Sequence, residues 1–285
     1  MITGYFCIDK TDFRWRGIVD IYCTTLFYSV AFLLLAFILD KEVTKRTLLL
    51  SIMPIRQELY WFVSSYIGLM MVAPFFARFA SLINKRQYKI LLGTLFVISF
   101  EYLYGCLYAG FKSILFFSFL FFVAGYINFY GISKKWRNNK GMVVLIIWIA
   151  YFVIATCINL VFCEKAQFVL IYFVNNGLTL FLSIAVFVYF ANTDIKGNRL
   201  AVLCKISPYV FGVYLFHDNP FFRKDLWHIL IPNQYHIPIV LHCFVVLIAI
   251  FFAGILVDYF RQVVFRWIHI DKIEEWLVKR MPVMG

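Results

Sequence analysis

Charge is what this sequence has least of. Only 15% of its 285 residues are charged, while 63% are hydrophobic. A soluble domain carries about 25% charged and about 45–50% apolar residues. A water-soluble fold of this length cannot enclose so much apolar surface in one core, so the composition requires lipid as solvent. Acidic side chains are rarer still, 15 against 27 basic ones, for a net charge of +12. The Lys and Arg residues gather in short segments between apolar runs and form no stripe on one face. The excess is therefore read as membrane topology and not as nucleic-acid binding. Seven cysteines lie mostly in or at the ends of apolar runs, without C-x-x-C or metal spacing, and read as small apolar helix residues. There is no G-x-S-x-G, Walker loop or G-x-G-x-x-G, which disfavours a soluble-type hydrolase and an ATP-driven pump. Paired broken helices of a secondary transporter are not visible. Residues 1–16 lack the apolar centre of a cleavable signal peptide.

What is present is a series of eight long apolar runs: Gly17–Leu39, Leu59–Ile83, Ile90–Tyr108, Ile114–Tyr130, Met142–Phe162, Phe168–Phe190, Leu200–His217 and Pro238–Phe260. Each is close to the ~20 residues that cross a bilayer as a helix. They are continuous, unlike the ~10-residue alternating segments of a membrane β-barrel, and in lipid the backbone must satisfy itself, so helices are required. Threading the runs in order places 19 of the 27 Lys and Arg residues on one side and 8 on the other. By the positive-inside rule both termini face the cytoplasm. The expected class is an all-α polytopic integral membrane protein of about eight transmembrane helices. Residues 1–285 form a single domain, and residues 261–280, which mix Trp267, Ile273 and Trp276 with charged residues, form an amphipathic helix on the membrane surface.

Ionisable groups within a membrane segment are costly and are therefore functional candidates. Asp20 and Asp258 lie on the cytoplasmic side of this topology, with Arg16 at i−4 and Arg261 at i+3, and local pairing accounts for both. The other side is richer. It holds Arg56 and Glu58 before the second run, Glu101 near the end of the third, and His217 and Asp218 at the end of the seventh. His228, His236 and His242 follow. Histidine is the usual proton-transfer residue near neutral pH, with Asp218 or Glu101 available to orient it. The histidine spacings match no zinc site, so no metal is expected. Asn175-Asn176-Gly177 interrupts the sixth run, either as interhelical hydrogen-bonding groups or as an unwound stretch lining a path.

Several stretches resemble one family. Tyr60-Trp61-Phe62 through Pro74-Phe75 is similar to the W-F…Y…P-F helix of the acyltransferase-3 family of bacterial membrane proteins, which O-acylate cell-envelope sugars and related acceptors. Phe211-Gly212-Val213-Tyr214-Leu215-Phe216-His217 resembles its late S-Y-x-L-Y-L-x-H helix, with Val210-Phe211 in place of Ser-Tyr. Thr3-Gly4-Tyr5-Phe6 is similar to the S-G-Y/F-F that closes its second helix, and Phe13-Arg14-Trp15-Arg16 to its basic cytoplasmic loop. The resemblance covers essentially the whole chain. It implies transfer of an acyl, expected to be acetyl, group from acyl-CoA, expected as acetyl-CoA, to a hydroxyl of a cell-envelope saccharide, in the bacterial cytoplasmic membrane. Arg14 and Arg16 would meet the donor's phosphates. His217 would support the acceptor site, with Arg56, Glu58 and Glu101 as orienting groups. No tightly bound cofactor is implied; the partners are membrane lipid and the saccharide acceptor. The registration also implies an N-terminally truncated relative, since the family's first two helices, including the one that carries its catalytic histidine, would precede Met1. The alternative class is a non-catalytic membrane component: an inactive relative, or a subunit for polysaccharide export or transport.

Overall fold

The computed structural model describes residues 1–55, 60–103, 109–132, 140–161, 168–193, 196–230 and 239–282. Among the described residues there are helices and no strand. In chain order they are α1 (Ile2–Cys7), α2 (Trp15–Ile38), α3 (Lys45–Ile52), α4 (Trp61–Leu82), α5 (Lys85–Leu103), α6 (Ala109–Tyr130) and α7 (Lys140–Val161). Then follow α8 (Phe168–Ala191), α9 (Asn198–Ile206), a 3-10 turn (Ser207–Tyr209), α10 (Val210–His217), α11 (Arg223–Leu230), α12 (Ile239–Trp267) and α13 (Ile270–Val278). The described residues of the eight apolar runs are helical, apart from Leu39, Tyr60 and Ile83 at run ends and the 3-10 turn within the seventh. Four segments among the described residues have the length and hydropathy to cross a membrane: Trp15–Ile38, Trp61–Leu82, Leu200–His217 and Phe244–Trp267. The all-α polytopic class follows directly from this.

The differences from expectation are local and have causes. The opening residues, which read as the end of a helix, are helical from Ile2 to Cys7. The fourth run extends back to Ala109, because Gly110 and Lys112 do not stop a helix that is otherwise aromatic and aliphatic. Asn175-Asn176-Gly177 does not interrupt α8, which is helical from Phe168 to Ala191. Pro208 is accommodated at the start of the 3-10 turn between α9 and α10, where its missing N–H is not needed. At the C-terminus the amphipathic stretch expected over 261–280 is divided. Residues 261–267 continue α12, a 29-residue helix about 44 Å long. His269, with φ 50°, breaks it in the left-handed region, and α13 follows.

The helices belong to two compact units. The first comprises Met1–Phe13 and Gly68–Ile195. Its core is Cys7, Ile8, Leu69, Ala73, Ala80, Tyr88, Phe121 and Phe122. Gly4 lets α1 lie against the α6 backbone: a Cβ there would sit 2.3 Å from the Phe121 carbonyl oxygen. The Asn128 amide then donates to the Tyr5 carbonyl at 2.8 Å.

The second unit comprises Arg14–Ile67 and Lys196–Gly285. Here α10 packs on α12 and α2, and α13 packs on α2 and α12. Close approach of α10 and α12 depends on Gly254, whose added Cβ would lie 2.8 Å from Val213 Cα, and on Gly212. Small residues serve helix contact in lipid in this way because packing, not water exclusion, holds the helices.

Candidate functional site

Among the described residues, two polar clusters of the second unit meet one short helix, α10. The first surrounds its C-terminal end. His217 is half-buried, and its Nδ1 lies 2.8 Å from the Val213 carbonyl oxygen. A carbonyl only accepts, so Nδ1 carries the proton and Nε2 of the neutral ring is left as the acceptor. The Tyr214 ring meets the imidazole edge-on, with centroids 6.0 Å apart. Asp218 does not orient His217. It accepts from Arg223 at 2.9 Å, and the backbone carbonyl one turn earlier does the orienting. Asn219 is fully buried. Its amide donates to the Tyr60 hydroxyl at 2.7 Å, its carbonyl accepts from the Phe221 N–H at 3.0 Å, and Tyr60 donates to the Leu215 carbonyl at 3.2 Å. Tyr214 also lies against Tyr60 and Phe62, so the histidine end is walled by aromatic rings. Beyond it, Lys41 pairs with Asp225 and lies over the Phe222 ring.

The second cluster sits five residues earlier, where Gly212 faces Asp258. A Cβ at 212 would come within 2.2 Å of Asp258 Oδ1. Asp258 is wholly enclosed and Arg261 is 8% exposed. Arg261 donates to the two carboxylate oxygens at 2.7 and 3.0 Å, Tyr28 donates at 3.1 Å, and Gln262 at 3.1 Å. Arg261 also reaches the Thr24 hydroxyl at 3.3 Å and stacks on Phe265. Local pairing of Asp258 with Arg261 is therefore correct, but it is only part of the arrangement: one carboxylate ties α2, α10 and α12 together. The pattern that signals it is Asp258, Arg261 and Gln262 at i, i+3 and i+4, facing Thr24 and Tyr28 at i and i+4 and a glycine on a third helix.

Arg14 is the residue before α2 and Arg16 lies in its first turn, both exposed. Two guanidinium groups at a helix N-terminus add to the positive end of the helix dipole and attract an anion. Glu101 lies on α5 in the first unit, with its side chain outside the described residues. Arg56, Glu58 and His236 are outside them as well. His228 is on α11 and His242 on α12. Among the described residues no group of three or more His, Cys, Asp or Glu side chains is placed to hold a metal ion.

Long apolar helices, with the buried charges of the described residues at helix–helix contacts, define a multi-pass integral membrane protein. A family model described as an acyltransferase domain matches residues 1–258. The chain belongs to this acyltransferase family, the acyltransferase-3 family of membrane proteins. No curated protein matches the chain. No solved structure matches it.

Proposed function

We propose that this membrane acyltransferase moves an acetyl group from acetyl-CoA to a hydroxyl of a cell-envelope saccharide, in the bacterial cytoplasmic membrane. The observation that carries the reading is the His217 ring. Its Nδ1 proton is committed to Val213, so Nε2 is held ready to take a proton, in a chain of the acyltransferase family. In the reaction the acceptor oxygen attacks the thioester carbonyl carbon and the carbon–sulfur bond breaks. The hydroxyl proton leaves to a base, and the CoA thiolate takes up a proton. His217 Nε2 serves the acceptor hydroxyl in this scheme, and Asn219, Tyr60 and Tyr214 hold the end of α10 that positions it. Arg14 and Arg16 meet the donor's phosphates at the N-terminal end of α2, and bilayer lipid surrounds the apolar helices.

The test compares the acetyl content of surface glycans in cells lacking the gene and in cells complemented with the wild-type chain or with His217→Ala at equal membrane abundance. Loss on deletion, restoration by wild type and at least about a 100-fold lower transfer rate with His217→Ala are expected, the usual scale for a positioned acid–base group. Unchanged acetylation on deletion overturns the donor and acceptor assignment. Full activity of His217→Ala overturns the role of the histidine.

A further inference from the structure

The tail helix α13 begins after the last residue that the family model matches. It lies where two membrane spans meet their ends. The span Phe244–Trp267 finishes α12, and the span Trp15–Ile38 starts α2. His269, with φ 50°, turns the chain out of α12 directly after Trp267 and Ile268. The tail helix then packs on both α2 and α12, and the Trp15 indole N–H donates to the Pro282 carbonyl at 2.7 Å. With nine residues α13 is about 14 Å long, too short to cross a bilayer. Its contacts with one span's end and another's start keep it at the level of the bilayer surface.

The side chains of α13 are sorted by chemistry. The face against α2 and α12 buries Glu274, with Ile270, Leu277 and Val278 half-buried. The free face carries Ile273 and Trp276, about half exposed, and the corner before it adds Ile268 and Trp267, the latter 82% exposed. At about 100° per residue, Lys272 and Lys279 project within about 90° of the direction midway between Ile273 and Trp276. Asp271, Glu274 and Glu275 project about 130° or more away from it. The Arg280 guanidinium lies 3.5 Å from the centroid of the Trp276 ring, so it too borders the apolar stripe. Lys272, Lys279 and Arg280 are exposed, and none of them closes an ion pair among the described residues. The exposed apolar stripe is thus flanked by cations while the acids are turned from it.

Tryptophan side chains suit the membrane interface, and a short helix with an apolar stripe and basic flanks lies in its plane. Long Lys and Arg stems let the charge reach the headgroups from an apolar seat. A zwitterionic surface gives no reason for the acids to be kept on the far side, whereas a negatively charged one does. We propose that this face of α13 is a docking surface for anionic phospholipid. Trp267, Ile273 and Trp276 enter the interface, Lys272, Lys279 and Arg280 meet the headgroup anions, and the tail holds the ends of α2 and α12 against a negatively charged leaflet.

The experiment measures hydrogen exchange of the amides in 270–278, with the full chain in nanodiscs of phosphatidylcholine alone or of an equal mixture with phosphatidylglycerol. Each Lys or Arg that meets an anionic surface contributes about fivefold, so exchange at least about tenfold slower is expected in the mixed discs. The triple variant Lys272→Gln, Lys279→Gln, Arg280→Gln keeps the apolar stripe and is expected to lose the difference between the lipids. The control Lys85→Gln, Arg86→Gln, Lys89→Gln removes three exposed cations elsewhere and is expected to keep it. Raising salt from about 0.1 M to about 1 M shortens the screening length from about 10 Å to about 3 Å. That change should erase the difference in the unmodified chain, a check that needs no variant to fold. Equal exchange in the two lipids overturns the proposal. A lipid difference that survives in the triple variant overturns the assignment to these cations. Protection that follows protein concentration and not lipid makes the face a contact between copies of the chain, and overturns the proposal as well.

Discussion

Replacing Asp258 by alanine removes one acceptor that serves four donor contacts: two from Arg261, one from Tyr28 and one from Gln262. The lost attraction is the smaller part of the effect. Arg261 is 8% exposed, and α12 continues to Trp267 beyond it. The guanidinium is left enclosed, with the Thr24 hydroxyl and the Phe265 ring as its remaining described contacts. Breaking a buried pair from one side costs about 3–5 kcal/mol, because an uncompensated charge remains. A Tyr28 hydroxyl left without its acceptor adds about 1–3 kcal/mol where water cannot reach it. The expected total for Asp258→Ala is about 4–6 kcal/mol, taken at the lower part of the combined range because these costs are not additive. The double replacement Asp258→Leu with Arg261→Met behaves differently. It removes both charges and fills similar volume, and such exchanges are neutral or stabilising by about 1–4 kcal/mol. Reversible unfolding of the detergent-solubilised chain, followed by far-ultraviolet circular dichroism during titration into dodecyl sulfate, measures both. The reasoning is refuted if Asp258→Ala costs less than about 1 kcal/mol, or if the double variant is as unstable as the sum of its singles.

The other expectations concern the same unit. Gly212→Ala places a methyl group 2.2 Å from Asp258 Oδ1 and 2.5 Å from its Cβ, so α10 and α12 must separate or the carboxylate must leave its donors. A loss of about 1–3 kcal/mol or more is expected in the same unfolding assay, and unchanged stability would mean that the helices have slack the close contact does not suggest. Asn219→Ala leaves the Phe221 N–H without an acceptor and Tyr60 without its donor. A loss of about 1–3 kcal/mol is expected, together with lower transfer activity, because the end of α10 that carries His217 is loosened. Burial, with Asp20 nearby, raises the Glu274 carboxyl above the usual carboxylate range. The docked tail thus binds a proton more tightly than the free tail. Its docking is strongest below the ordinary carboxylate range and weakens as pH rises through the raised value. Tail accessibility to a broad-range protease, normalised at each pH to Glu274→Gln, should rise with pH, and a flat ratio would contradict the shift.

How much of this was legible in the sequence follows from which interactions are local. The helices were readable because lipid leaves the backbone no other partner, and runs such as Gly17–Leu39 and Phe168–Phe190 carry that constraint on their face. The pairing of Asp258 with Arg261 was readable because i and i+3 adjoin on any helix. The burial of that pair was not. It depends on Gly212, 46 residues away in the chain, and on Tyr28, 230 residues away, and no periodicity links a glycine on one helix to a carboxylate on another. For the same reason the backbone partner of His217 was not legible, although the residue at the end of its helix was. Asp218 is its neighbour in sequence, yet successive residues on a helix point about 100° apart, so Asp218 turns to Arg223 while His217 bonds back to the carbonyl four residues earlier. A sequence argument that assigns an orienting partner on a helix does better to look first at i−4 than at i+1. The tail gives the same lesson at longer range. Amphipathicity alone marks a helix that lies on a surface, but it does not say which surface. The buried face of α13 is claimed by α2 because Trp15 reaches Pro282, a contact between the two ends of the chain that only the folded unit brings together.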